Sequence, residues 1–286
     1  MIPCYYINLD RSAARRAHME AEFARNDLRA ERVPAIDGRH EITHDCAFFT
    51  QEARRKYRLA PDEIACLLSH RKVWQTLADS GAEYAAIFED DVRLSDKLAQ
   101  LILRSDWIPA KTECVKLDLS EIDGFYLRPE DIGIDGFSLA ECVSDLRSTA
   151  AYILSREGAA KLLRATTTIQ APVDLVMFST IHPHFSHLKY KQLMPAVAAQ
   201  QAHIKERAFL PASAELSSID RTKRGYWQTP SRPLRKFGLK KLWREIRRPF
   251  KQLSSAAAPA GNAIYYLARF GARRRNVTFI DQTPRP

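Results

Sequence analysis

Three consecutive acids, Glu89, Asp90 and Asp91, close an apolar run of Tyr84-Ala85-Ala86-Ile87-Phe88. Neighbouring carboxylates repel one another, and burying them uncompensated is costly. A divalent cation relieves that cost and takes hard oxygen ligands. The chemistry this segment predicts is therefore a Mg2+ or Mn2+ site that holds a phosphorylated substrate. The run before the acids has no period-2 alternation, which fits a strand covered on both faces in a parallel α/β sheet. Ligands of open α/β sheets bind beyond the carboxyl ends of the strands. Alternate strand side chains share a face, so Glu89 and Asp91 are expected to point the same way and serve as the metal ligands. Asp91 is the direct contact in this reading, and Asp90 or Glu89 reaches the metal through water or touches the ribose. The competing reading is a solvated acidic turn in which one carboxylate caps the next segment.

Other residues suit an anionic ligand. Arg11, Arg15 and Arg16 follow the first strand candidate, Cys4–Leu9, and guanidinium forks match phosphate oxygens. An Arg-rich, solvated helix face is the plainer explanation. Asn8 either satisfies the strand end or binds the base of a nucleotide. Ser69 and His70 precede the acidic strand on a helix, where a histidine is usually a packing residue. His182, His184 and His187 fit no zinc spacing, and no cysteine lies near them.

The elements that must position these groups alternate. A strand at 4–9 is followed by a helix over 13–23 with Ser12 as its N-cap. A short strand at 32–36 ends at the turn pair Asp37-Gly38. Residues 39–60 read as a loop with one short helix. Asp62 can cap a helix with Ile64, Leu67, Leu68, Trp74 and Leu77 on its apolar side, and Gly81 ends it. After the acidic strand, Ser95 can cap a helix bearing Leu98, Leu101 and Ile102. Strands follow at 114–119 and 148–154, separated by a long loop over 121–147 with weak strands. Helices begin near Ser155 and at Pro172-Val173-Asp174. This alternation indicates an α/β fold with a mostly parallel central sheet.

The chain has 286 residues, 45% of them hydrophobic, enough for a substantial core. No apolar stretch is long enough for a transmembrane helix, and the N-terminus has no signal-peptide pattern. Five scattered cysteines without a CxxC pair read as reduced thiols of a cytoplasmic protein. The net charge of +10 is unevenly placed: residues 1–220 hold 27 Lys+Arg and 32 Asp+Glu, whereas residues 221–286 hold 17 and 2. Residues 1–220 are thus the expected catalytic domain, and 221–286 a basic C-terminal region. Within 221–251, Leu239, Leu242, Trp243, Ile246 and Phe250 fall on one helical face, with Pro249 breaking the run. A basic amphipathic helix of this kind suits an anionic membrane surface. Ala263–Phe270 can add a second short amphipathic segment, and Arg273–Arg275 extends the basic patch. A solvated helix and a nucleic-acid patch are the alternatives, the latter disfavoured by the −5 balance of residues 1–220.

Five segments in order resemble glycosyltransferase family 25, the lipooligosaccharide and lipopolysaccharide galactosyltransferases and their collagen-modifying relatives. They are Tyr6-Ile7-Asn8-Leu9-Asp10-Arg11-Ser12 with Arg15 and Arg16; Glu63-Ile64-Ala65-Cys66-Leu67-Leu68-Ser69-His70 with Trp74; Phe88-Glu89-Asp90-Asp91-Val92; Thr149-Ala150-Ala151-Tyr152-Ile153-Leu154-Ser155 with Gly158-Ala159; and Pro172-Val173-Asp174. Pro195 and Gln200 are a weaker echo. Ala65 departs from the Gly usual there. The resemblance covers about residues 3–200. It implies a GT-A type fold, a Mn2+ or Mg2+ cofactor, and an inverting transfer from a UDP-sugar, usually UDP-galactose. The metal would bridge the diphosphate. The acceptor would be a lipid-linked core saccharide met by a peripheral enzyme at the cytoplasmic face of the inner membrane. Asn8, Arg11, Arg16, Ser69, His70, Glu89 and Asp90 are then the expected donor contacts. Inversion needs a base, for which Asp174 is the first choice and Asp118 the second. A metal-dependent phosphoesterase and a nucleic-acid-binding protein acting through the tail are the rivals.

Overall fold

A computed structural model describes residues 1–42, 59–120, 122–169, 171–180, 188–204 and 262–280. Its strands are β1 (Cys4–Asn8), β2 (Ala30–Pro34), β3 (Tyr84–Glu89), β4 (Val92–Leu94), β5 (Cys114–Lys116), β6 (Gly124–Tyr126), β7 (Glu130–Asp131), β8 (Ser138–Glu141), β9 (Ala151–Ser155), β10 (Tyr190–Met194), β11 (Ala198–Gln200) and β12 (Arg273–Arg275). Its α-helices are α1 (Ala13–Arg25), α2 (Pro61–Asp79), α3 (Leu98–Ile102), α4 (Arg156–Ala165) and α5 (Val173–Phe178), and a further one, α6, spans 262–270.

Eight strands form one sheet in the order β2-β1-β3-β9-β5-β10-β8-β7. The β2-β1-β3 unit is parallel, as is β5 with β10. Strand β9 runs antiparallel between β3 and β5, and β8 antiparallel to β10 and β7. The sheet is thus mixed: most strands run one way, but β8 and β9 oppose them. Hydrophobic pattern carries no strand direction, so the central reversal at β9 was invisible in the sequence.

The missing alternation in β3 has a direct cause. Ala85 and Ile87 enter one apolar layer with Trp74, Tyr152 and Phe178, while Ala86 and Phe88 enter the opposite layer with Phe23, Leu98 and Ile153. Fully burying a side chain such as Phe88 or Ile87 stabilises by roughly 1.5–3 kcal/mol. Helices α2 and α4 pack together and bury Trp74, Leu77 and Leu162 on the first face. Helices α1 and α3 cover the second through Met19, Phe23, Leu98 and Leu101.

Several boundaries differ from those read in the sequence. Ser12 stands before α1 without a side-chain capping bond. Helix α2 begins one residue before Asp62, with Ala60 at the cap position and the Glu63 carboxylate accepting the Ala60 N–H at 2.9 Å. Asp62 instead lies in the first turn against Gly38. Ser80 rather than Gly81 is the C-cap of α2. The expected strand at 148–154 begins only at Ala151, because Ser148 sits in the left-handed region at φ 74°. Ser155 does cap α4, accepting the Gly158 N–H at 3.0 Å. The expected helices near 39–60 and over 221–251, and His182, His184 and His187, lie outside the described residues.

Residues 262–280 return to the body of the fold. Strand β12 pairs antiparallel with β6, Tyr266 stacks on Phe125 with ring centroids 4.4 Å apart, and Phe279 bridges Ala196. Val277 and Ile280 pack against the two apolar layers. Around α6, Ile264, Tyr265 and Leu267 remain exposed. Among the described residues, no helix is long and apolar enough to cross a membrane.

Candidate functional site

Strands β1 and β3 are parallel neighbours with Ile7 opposite Glu89, so their carboxyl ends finish side by side. Both strands run out into polar residues, Asn8, Asp10 and Arg11 at the end of β1 and Asp90 and Asp91 at the end of β3. These ends open into a cleft bounded by Arg15 of α1, residues 35–38 after β2, and the face of α2 bearing Asp62, Cys66, Ser69 and His70. Gly38 makes that closure possible. A Cβ there would stand 2.3 Å from Asp62 Oδ1 and 2.8 Å from the Asp62 backbone. Ser69 ties the wall together, accepting the Ile36 N–H at 2.8 Å and donating to the Ala65 carbonyl at 2.7 Å.

The three acids divide their work. Both oxygens of Asp90 are engaged within the protein: Asn8 Nδ2 donates to one at 2.7 Å and Arg15 Nη1 to the other at 2.8 Å. Asn8 is held in turn by Arg32, whose Nε donates to its Oδ1 at 3.0 Å. Glu89 and Asp91 face the same neighbour: Gln200 Nε2 lies 3.4 Å from Glu89 Oε2 and 3.1 Å from Asp91 Oδ1. The other Glu89 oxygen accepts from Thr149 Oγ at 2.8 Å and lies 3.5 Å from His70 Nε2. The other Asp91 oxygen is 3.3 Å from Arg15 Nη1.

The electrostatics separate the two candidate ligands. Burial pushes the Asp91 carboxyl up to about 7, with Glu89 and Asp90 adding to the rise and Arg15 opposing it. Burial also acts to raise Glu89, but the His70 contact, Thr149 and Arg15 outweigh it and hold that carboxyl below its ordinary value. Burial disfavours charge on Arg15, yet Asp91 and Asp90 raise its pKa above the usual guanidinium value. The site therefore holds more negative charge than its one close guanidinium balances.

The structure distributes the remaining sequence candidates unevenly. Arg11 lines the cleft but is paired with Asp37 at 2.6 Å. Arg16 faces solvent and pairs with Glu20 at 2.9 Å, so Arg15 is the guanidinium at the acids. Helical spacing carried that distinction: Arg15 is four residues before buried Met19, whereas Arg16 shares a side with exposed Glu20. Asp118 is fully buried, bonded to Lys116 Nζ at 2.5 Å and to the Ser148 hydroxyl at 2.6 Å. Asp174 is part-exposed at the start of α5, 3.6 Å from Arg147 Nη1, and does not line the cleft. Sequence reasoning gave no role to Gln200 beyond a weak echo, nor to Thr149, Asp37 or Tyr152 as site groups. Among the described residues, Cys66, His70 and Glu89 also bring one potential ligand atom each within 4.8 Å of one another.

The model of a protein family described as glycosyltransferase family 25 (LPS biosynthesis protein) matches residues 1–177, which include the three acids Glu89, Asp90 and Asp91 of the cleft but not Gln200. The chain belongs to glycosyltransferase family 25. It is 26% identical over 223 residues to the lacto-N-neotetraose biosynthesis glycosyltransferase LgtE of Neisseria meningitidis serogroup B, covering 75% of this chain and 79% of the relative. It is 25% identical over 209 residues to the lipooligosaccharide biosynthesis protein lic2B of Haemophilus influenzae, covering 70% and 76%. Similarity also extends to the mouse inactive glycosyltransferase 25 family member 3, 28% identical over 200 residues, covering 65% of this chain and 33% of that one. As a member of the family the chain is a glycosyltransferase, and sugar transfer takes precedence over phosphoester hydrolysis or nucleic-acid binding as the use of the cleft.

Proposed function

We propose that this glycosyltransferase moves a sugar, galactose from UDP-galactose being the first donor to test, onto a lipid-linked lipooligosaccharide or lipopolysaccharide core saccharide. The observation that carries the reading is the convergence of Glu89 and Asp91 on one point in a cleft at the ends of β1 and β3. The residues fit a hard divalent cation such as Mn2+ or Mg2+. Two carboxylate oxygens approach the amide hydrogens of Gln200, and Asp91 is buried with its charge under-compensated. Bound there, the cation would supply charge stabilisation for a departing nucleoside diphosphate.

The chain's own groups would do the rest. Arg15, braced by Asp90, places a guanidinium beside the acids, where it can meet phosphate oxygens. Arg11 can do the same from the rim by exchanging Asp37. Asn8 and Asp90 fix the geometry of the strand ends rather than offering free valences. Ser69 shapes the wall. Of the two candidate bases, Asp118 is sealed in its pair with Lys116 and Asp174 stands outside the cleft beside Arg147, so Asp174 would remove the acceptor hydroxyl proton in an inverting displacement only where the acceptor reaches the start of α5. The parallel β2-β1-β3 unit with an acidic end supports a GT-A type fold. The outward apolar residues of α6, next to Arg269, Arg273 and Arg274, support contact of the C-terminal region with an anionic membrane at the cytoplasmic face of the inner membrane.

The test is UDP release and transfer across a panel of nucleotide sugars, with Mn2+ and with chelator. The expected result is release from one donor, lost with chelator and in Asp91→Asn. Asp174→Asn should bind donor and fail to transfer. Equal turnover with and without chelator would remove the cation from the reading, and near wild-type turnover of Asp174→Asn would remove the base.

A further inference from the structure

His70 lies at the back of the cleft with its side chain 1% exposed. Its Nδ1 is 2.8 Å from the Tyr152 hydroxyl oxygen, and Trp74 Nε1 is 2.8 Å from the same oxygen. All three side chains are buried, and the His70 and Tyr152 rings stack at 29° with centroids 5.8 Å apart. An indole nitrogen only donates. The Tyr152 oxygen therefore accepts from Trp74. Its single proton then has His70 Nδ1 as its one remaining neighbour within hydrogen-bonding distance among the described residues.

That geometry sets the state of the ring. If Nδ1 carried the proton, as in the other tautomer, it would donate to Tyr152 and leave the buried hydroxyl proton without an acceptor. Orphaning a buried donor disfavours such a state by a factor of about ten to a hundred. With Nδ1 as acceptor, Trp74 Nε1, the Tyr152 hydroxyl and Nδ1 itself are all satisfied, and the imidazole proton sits on Nε2, facing a carboxylate rather than turning a lone pair toward it. This nitrogen has no closer hydrogen-bond partner than Glu89 Oε1 at 3.5 Å.

We infer that Trp74 and Tyr152 hold His70 Nδ1 as a hydrogen-bond acceptor, so that the ring proton on Nε2 faces the Glu89 carboxylate and orients it, and His70 is not a metal ligand. The Nε2–H and the Thr149 hydroxyl both address Glu89 Oε1, leaving Oε2 turned toward Asp91 and Gln200. Cys66, His70 and Glu89 then do not form a coordination triad, since the imidazole lone pair faces Tyr152. His70 and Tyr152 are positioning residues. Their effect on transfer rests on the role proposed for Glu89, but the state of the ring does not.

The experiment is nitrogen NMR of the full chain labelled at histidine, with the His70 signals assigned by loss in His70→Gln. The expected spectrum shows an unprotonated Nδ1 and a protonated Nε2, unchanged in connectivity when Zn2+ or Mn2+ is added. A protonated Nδ1 in the wild-type protein, or Zn2+ bound at Nε2, would overturn the inference. In Tyr152→Phe, which keeps the ring volume, the two tautomers should mix. kcat should then fall about tenfold, with the donor KM changed less than twofold. Ring signals and kcat both unaltered in that variant would equally overturn it. His70→Gln, which retains an N–H donor, should keep more activity than His70→Ala. The wild-type spectrum decides the tautomer even if a variant does not fold. A transferase indifferent to metal would undo the cation site yet leave the spectrum as expected.

Discussion

Asp91 makes the acidic cleft a place where function and stability oppose each other. In the unfolded chain its carboxyl titrates at 3.8, and in the fold burial lifts it to about 7. Between those values the folded protein holds a proton that the unfolded chain has lost, so stability falls as pH rises through the window and levels off above it. The gap of about three units corresponds to at most about 4 kcal/mol. Sharing among Glu89, Asp90 and Arg15 reduces the part that one substitution can recover to about 2 kcal/mol. Asp91→Asn keeps the shape and removes the charge. In metal-free buffer at pH 8 it should raise Tm by roughly 4–8 °C, taking 2–4 °C per kcal/mol for a chain of this size. At pH 5 the wild-type carboxyl is already protonated in the fold, and the difference should shrink to within about 1–2 °C. The assay is scanning calorimetry at both pH values, alongside UDP release, which the variant should lose. A variant no more stable than wild type at pH 8 would refute the reasoning, because the buried charge would then carry no net cost. Saturating Mn2+ should erase the variant's advantage by stabilising only the wild type.

Gln200→Ala withdraws the amide that lies between Glu89 and Asp91. The metal-free protein should lose about 1–3 kcal/mol, and the Mn2+-induced rise in Tm should grow, both readable by calorimetry. Lys116→Met leaves buried Asp118 unpaired and should destabilise by about 3–5 kcal/mol, with most of that restored by adding Asp118→Asn; denaturant titration of single and double variants checks it. Gly38→Ala forces the loop after β2 away from the Asp62 backbone. It should cost about 1–3 kcal/mol and raise the donor KM more than it lowers kcat.

Much of this site could be read before the structure. The apolar run into Glu89 located a strand buried on both sides, and the acids at its end fall where β1 and β3 finish together. Residues in sequence report neither strand direction nor who lies across a cleft. That is why the reversed β9 was missed, although it brings Tyr152 behind His70 and places Thr149, just before the strand, at Glu89. The same blindness hid Gln200, 109 positions from Asp91 yet 3.1 Å from it. Asp118 was read as an available carboxylate because nothing local shows that Lys116, two residues earlier on the same side, turns inward to meet it. Arg15 could have been preferred to Arg16 from helical periodicity, since only one of them continues the face that bears Met19.

The return of residues 262–280 bears on how the protein can be shortened. Cutting the chain before α6 would strip β6 of its partner strand, bare the ring of Phe125 and take Val277 and Ile280 out of the two apolar layers. Loss of vesicle binding in such a truncated enzyme would report damage as readily as detachment. Excising 221–251 alone, and joining its flanks with a flexible linker, leaves the final strand in register. That internal deletion is the cleaner way to ask whether the basic stretch holds the enzyme to lipid.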